Sequence, residues 1–74
     1  MSIPQKIGQN IVSLRRQKQI SQEQLALYSD MSVSYLRSIE QGTANPTINA
    51  LSRLANTLEE PFGNIVYVGE EHED

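Results

Sequence analysis

Ser21-Gln22-Glu23-Gln24-Leu25-Ala26-Leu27-Tyr28-Ser29-Asp30-Met31-Ser32-Val33-Ser34-Tyr35-Leu36-Arg37-Ser38-Ile39-Glu40-Gln41-Gly42 reads as two short helices joined by a tight turn. Ser21 and Gln24 have the spacing of a capping box, in which the hydroxyl accepts from the N3 amide while the N3 side chain reaches back to the cap. Leu25, Ala26 and Tyr28 then populate a helix expected to end near Ser29. Asp30 is the expected turn residue, because Asp tolerates left-handed backbone better than most non-glycine residues. Ser32 can cap the next helix, Met31, Leu36 and Ile39 give it apolar anchors, and Gly42 ends it as a left-handed cap. Residues 22 to 41 therefore have the dimensions of a helix-turn-helix. Ala26 suits the point where its two helices approach, and Val33, Ser34, Arg37 and Ser38 are left pointing outward. Periodicity alone would fit any small helical bundle.

Working outward, Ile3, Ile7, Ile11 and Leu14 recur at helical spacing, and Pro4 suits a first turn, so a first helix is expected over roughly residues 4 to 18. After the loop Thr43-Ala44-Asn45-Pro46, Thr47 can cap a fourth helix with Ile48, Leu51, Leu54, Ala55 and Leu58 on one stripe. Pro61 fits position N1 of a short fifth helix carrying Phe62, Ile65 and Val66, although Gly63 weakens it and residues 65 to 68 have strand-like branching. The expectation is an all-α domain of five helices over residues 1 to 68, its C-terminal segment (about 59 to 68) serving dimerisation, followed by a disordered acidic tail over 69 to 74.

The length, 74 residues, allows one small core and excludes a two-domain enzyme. With 38% hydrophobic and 20% charged residues, the composition is that of an ordinary globule. The absence of Cys removes disulfides, thiolate metal sites and thiol catalysis, and points to the cytoplasm. No apolar run approaches the ~20 residues of a bilayer span, and the first ten residues lack the pattern of a secretory leader. Catalysis has little to work with. His72, the one His, lies among Glu70, Glu71, Glu73 and Asp74, where nothing positions it. Glu59 and Glu60 are adjacent and diverge. The tail could hold a metal only loosely, and a solvated tail fits better, so no catalytic residue, metal or cofactor is expected. The net charge of −3 argues against a polyanionic partner until its distribution is considered. Four of nine acids lie in the last five residues, so residues 1 to 69 set six cations against five acids and carry +1.

Ser21-Gln22-Glu23-Gln24-Leu25-Ala26, Met31 through Gly42, Asn45-Pro46-Thr47 and Leu51-Ser52-Arg53-Leu54-Ala55 together resemble the XRE family of phage repressor, Cro and related bacterial regulators, over about residues 5 to 66. That family has a five-helix, lambda-repressor-like DNA-binding domain whose helices 2 and 3 form the helix-turn-helix, and the chain is similar to small controllers of restriction-modification systems. Asp30 departs from the pattern, since the family often has Gly there.

The resemblance implies that residues 32 to 41 form the recognition helix, with its N-terminal part facing bases in the major groove of double-stranded DNA. Arg37, the one long donor on the outward face, is expected to grip guanine O6 and N7; Ser34 and Ser38 can exchange hydrogen bonds with bases, and Val33 can meet a thymine methyl. A solvated helix face is the plainer reading of the same side chains. Phosphates would be held mostly at helix starts, by Ser21 and Gln22, and across the groove by Thr43, Asn45 and Thr47. Tyr35 either adds its hydroxyl to a phosphate or simply packs. Lys6, Arg16 and Lys18 are auxiliary cations at most. The resemblance also pairs Glu40 with Arg15 in a structural ion pair that fixes the recognition helix.

One recognition helix reads only about four or five base pairs, so regulators of this class act as two-fold dimers on palindromic operators. Phe62, Ile65, Val66, Tyr67 and Val68 form an apolar group that suits a homodimer interface, through packed helices or a shared strand pair. Phe62 and Ile65 suit the core beneath the fourth helix equally well. The alternative to a DNA-binding regulator is an antitoxin or other protein-interaction module, in which the same domain binds a protein partner.

Overall fold

Five helices follow one another in a computed structural model that describes residues 2–69: α1 (Ile3–Gln17), α2 (Gln22–Tyr28), α3 (Val33–Gln41), α4 (Ile48–Leu58) and α5 (Phe62–Val66). Each start is chemically marked. Ser21, Ser32 and Thr47 accept from the N3 amides of α2, α3 and α4 at 3.0 Å, and Ser21 with Gln24 closes the expected capping box. Ser2 and Gln5 close a second box ahead of α1, which the reading from Pro4 did not include. Pro61 is the N-cap of α5 rather than its first helical residue, and it leaves the helix without a side-chain cap.

The ends share one geometry. Gln19, Asp30, Gly42 and Glu59 have φ between 57° and 79°. In each case the following N–H donates to a carbonyl five residues back: Ile20 to Arg15 at 3.1 Å, Met31 to Ala26 at 3.1 Å, Thr43 to Ser38 at 3.0 Å and Glu60 to Ala55 at 3.0 Å. This is the Schellman closure, which satisfies carbonyls left open at a helix C-terminus. Asp30 (φ 58°) and Gly42 (φ 79°) stand in the left-handed conformation expected of them.

The core draws on every helix: Ile11 of α1, Leu25 and Ala26 of α2, Leu36 and Ile39 of α3, Leu51, Leu54, Ala55 and Leu58 of α4, and Ile65 of α5. Ile7 and Leu14 pack against its edge. Two residues of the expected apolar stripes lie outside it. Ile3 is 62% exposed and Ile48 72%, because each begins its helix beyond the reach of the facing element. No strand occurs among the described residues; α5 runs through Val66 and Tyr67 is extended. Ile65, counted above with the interface, is corrected to a core residue, since it is fully buried within the single chain. Of the tail expected over 69 to 74, residues 70 to 74 lie outside the described residues, as does the His72 cluster.

Candidate nucleic-acid interface

The outward face of α3 is held in place from behind by α1. Gly8 is buried where the two helices cross, and a Cβ there would stand 2.5 Å from the carbonyl oxygens of both Ile39 and Glu40. Only a glycine lets α1 approach this closely. Seven residues on, Arg15 meets Glu40: Nε donates to Oε2 at 2.8 Å and Nη2 to Oε1 at 3.2 Å. The two side chains are 14% and 6% exposed, so the pair is largely desolvated. A third donor, Nε2 of Gln22, reaches the same Oε1 at 2.8 Å, while Nη1 of Arg15 donates to the Ile20 carbonyl at 3.2 Å. One carboxylate thus ties together the end of α1, the start of α2 and the end of α3.

The turn is braced from the other side by α4. Ser29 is 1% exposed, and its hydroxyl donates to Thr57 Oγ1 at 2.8 Å. Thr57 in turn donates to the Tyr28 carbonyl at 3.1 Å, and Arg53 Nε donates to the Ser29 carbonyl at 2.9 Å. These bonds satisfy carbonyls at the end of α2 that would otherwise be left open. The Arg15–Glu40 pair is the one the resemblance implied, whereas the Gly8 crossing and the bonds of Ser29, Thr57 and Arg53 were not visible as motifs in the chain. Gly8 could have been noticed as a glycine inside a strong helical pattern, where it costs stability and needs a packing reason.

With the scaffold set, Ser34 and Arg37 stand exposed on α3, and Arg37 makes no ion pair among the described residues. Val33 and Ser38 are half-buried, and Val33 packs partly on the core. The Ser38 hydroxyl donates back to the Tyr35 carbonyl at 2.7 Å, which leaves its oxygen as an acceptor only. Tyr35 is half-buried against the core. Ser21, Thr43, Asn45 and Thr47 are exposed, and Gln22 is half-buried. Thr43 Oγ1 donates to the Ser38 carbonyl at 3.2 Å, and Thr47 is occupied as the α4 cap. Of the auxiliary cations, Lys18 is engaged with Glu60 at 3.2 Å, whereas Lys6 and Arg16 make no ion pair among the described residues.

The C-terminal segment is clamped to α1 by Asn10, whose amide nitrogen donates to the carbonyls of Ile65 at 2.9 Å and Tyr67 at 2.7 Å. Beside the clamp lies a shallow hollow of about 210 Å³ lined by Asn10, Ser13, Leu14, Asn64 and Tyr67. Phe62, Tyr67 and Val68 remain 38%, 61% and 37% exposed. No group of three or more metal-ligating side chains occurs among the described residues. No helix of those residues is long and apolar enough to cross a membrane.

Two helices joined by a left-handed turn, capped at both starts and buttressed by α1 and α4, define a helix-turn-helix domain of the DNA-binding kind. The chain belongs to the HTH_3 helix-turn-helix family, whose model matches residues 11–64, and it shares that family's XRE-like, lambda-repressor-like fold. It is 40% identical over 58 residues to an uncharacterized HTH-type transcriptional regulator, y4dJ, of Sinorhizobium fredii, covering 78% of this chain and 75% of that one. It is 37% identical over 52 residues to the immunity repressor protein of Bacillus phage phi105, covering 70% of this chain and 36% of the repressor. Among solved structures, the restriction-modification controller protein C.AhdI of Aeromonas hydrophila superposes with a TM-score of 0.82 at 32% identity, over 84% of this chain and 94% of that one. The family is one of transcriptional regulators rather than enzymes.

Proposed function

We propose that this chain regulates transcription by binding a palindromic operator as a homodimer in the cytoplasm, with α3 of each protomer in the major groove. The observation that carries the reading is Arg37, exposed and unpaired among the described residues, on a helix whose inner face is locked by Gly8 and by the Arg15–Glu40 pair. A helix held that firmly presents its outer side chains without reorganising. Arg37 is assigned to guanine, Ser34 and Ser38 to neighbouring base edges, and Val33 to a thymine methyl. Because the Ser38 hydroxyl already donates to backbone, it selects bases that offer an amino group, adenine or cytosine. Ser21, Gln22, Tyr35, Thr43, Asn45 and Thr47 take the phosphates on either side.

Pairing of two chains is assigned to Phe62, Val66, Tyr67 and Val68, the apolar side chains that α5 and its extension leave partly uncovered, with the hollow beside Tyr67 as the receiving surface. Selection of random duplexes by the purified chain tests the whole reading. The expected product is an inverted repeat with half-sites about one helical turn apart. Enrichment of a single unrepeated site, or of none, would overturn it. Arg37→Ala should cost about 1–3 kcal/mol at one base position and relax preference there.

A further inference from the structure

The Glu40 carboxylate accepts three hydrogen bonds, and only two of them come from its ionic partner. The third comes from Gln22 Nε2 at 2.8 Å, from the first residue of α2 to the far end of α3. Gln is among the side chains with most rotamer freedom to lose, and nothing nearer holds this one. The acceptor is also unusually fixed, being 6% exposed and locked by a two-point guanidinium grip. A primary amide nitrogen carries two hydrogens that diverge in the amide plane, so one can lie on Glu40 while the other remains free to donate.

We propose that Glu40 is a positioning residue for DNA binding: by holding one N–H of the Gln22 amide, it aims the other at a backbone phosphate. This rests on the assignment of Gln22 to a phosphate made above, and adds to it how the contact is pre-set. Arg15 makes the arrangement possible, since its charge and burial keep the carboxylate from repelling the strand that Gln22 engages. Affinity then depends on the reach of the carboxylate as well as on its charge. Aspartate at this position keeps the charge but withdraws it by one methylene from Gln22 and from Arg15 alike, so its effect is read against Gln22→Ala in a cycle rather than alone.

The test is a double-mutant cycle with Gln22→Ala, Glu40→Asp and the pair, each titrated with the duplex selected by the wild-type chain across a salt series. Each single variant is expected to bind roughly two- to tenfold more weakly. The double variant should be no weaker than the poorer single one, and the salt slope should stay unchanged, because no Lys or Arg is removed. Losses that multiply in the double variant, or wild-type affinity in Gln22→Ala, would overturn the proposal while leaving DNA binding intact. A wild-type chain that selects no duplex would instead remove the functional reading beneath it. Should Glu40→Asp fail to fold, nitrogen relaxation of the wild-type side-chain amides decides. Gln22 Nε2 is expected to be restricted relative to that of Gln9, which is exposed and makes no hydrogen bond among the described residues. Equal mobility of the two would count against it.

Discussion

Replacing Glu40 by alanine would strand the Arg15 guanidinium, which is 14% exposed and has no other carboxylate within reach among the described residues. Breaking a buried pair from one side costs roughly 3–5 kcal/mol, a large part of what a domain of this size possesses. Glu40→Ala should therefore lower the denaturant midpoint and weaken DNA binding together; an unchanged midpoint would mean that the pair contributes nothing. Glu60 is a milder case. Hydrogen bonds from Asn64 and then Lys18 hold its carboxyl below the ordinary value of about 4.5. A lowered carboxyl pKa stabilises the fold above that ordinary value, and the contribution disappears as pH falls through the lowered one. Melting temperature followed from neutral pH downward should thus decline less steeply at its acid end in Glu60→Gln than in the parent chain. The Arg15–Glu40 pair was legible only through family resemblance, since nothing in local spacing joins positions 25 apart. Asn10 left no trace in the sequence, because an exposed-looking amide on a helix gives no hint that two distant carbonyls await it.

At the scale of elements, four helix ends use a left-handed residue and only one of them is glycine. A side chain in that conformation costs on the order of 1 kcal/mol, so three of these ends carry strain that glycine would relieve. Gln19→Gly and Glu59→Gly are each expected to raise stability by about 0.5–1 kcal/mol after the greater freedom of the unfolded chain is counted, or roughly 2–8 °C in Tm. Calorimetry checks this, and a drop in Tm would show that these side chains do more than fill a turn. Gly8→Ala should act in the opposite sense, because the added methyl meets backbone oxygens rather than a flexible side chain. The starts of α2, α3 and α4 were legible because Ser and Thr caps follow a local rule. The ends at Gln19 and Glu59 were not, since neither residue advertises positive φ. The stretch from residue 65 to 68 was ambiguous for a related reason: its branched side chains suit a strand, and burial of Ile65 beneath α4 overrides that preference.

For the whole molecule, charge is the quantity that sets behaviour on DNA. Arg15 and Lys18 are committed to carboxylates, Arg53 to a carbonyl and, in the reading proposed above, Arg37 to a guanine, so of the six cations Lys6 and Arg16 remain for phosphates. The logarithm of affinity should then fall with that of salt with a slope no steeper than about −2 per protomer. A much steeper slope would mean that the internal pairs open on binding. The two-chain assembly is tested separately by Tyr67→Asp with Val68→Asp, which should shift sedimentation to the monomer and leave the melting of the isolated domain nearly unchanged. Removing everything after Asn64 would be a poorer experiment, because it also takes Ile65 out of the core.

That same isoleucine has a kinetic corollary. Since α5 is rooted in its own protomer, two chains that meet through Tyr67 and Val68 would part without either one unravelling. Turnover of such a pair would be a matter of undocking rather than unfolding, graded with dilution.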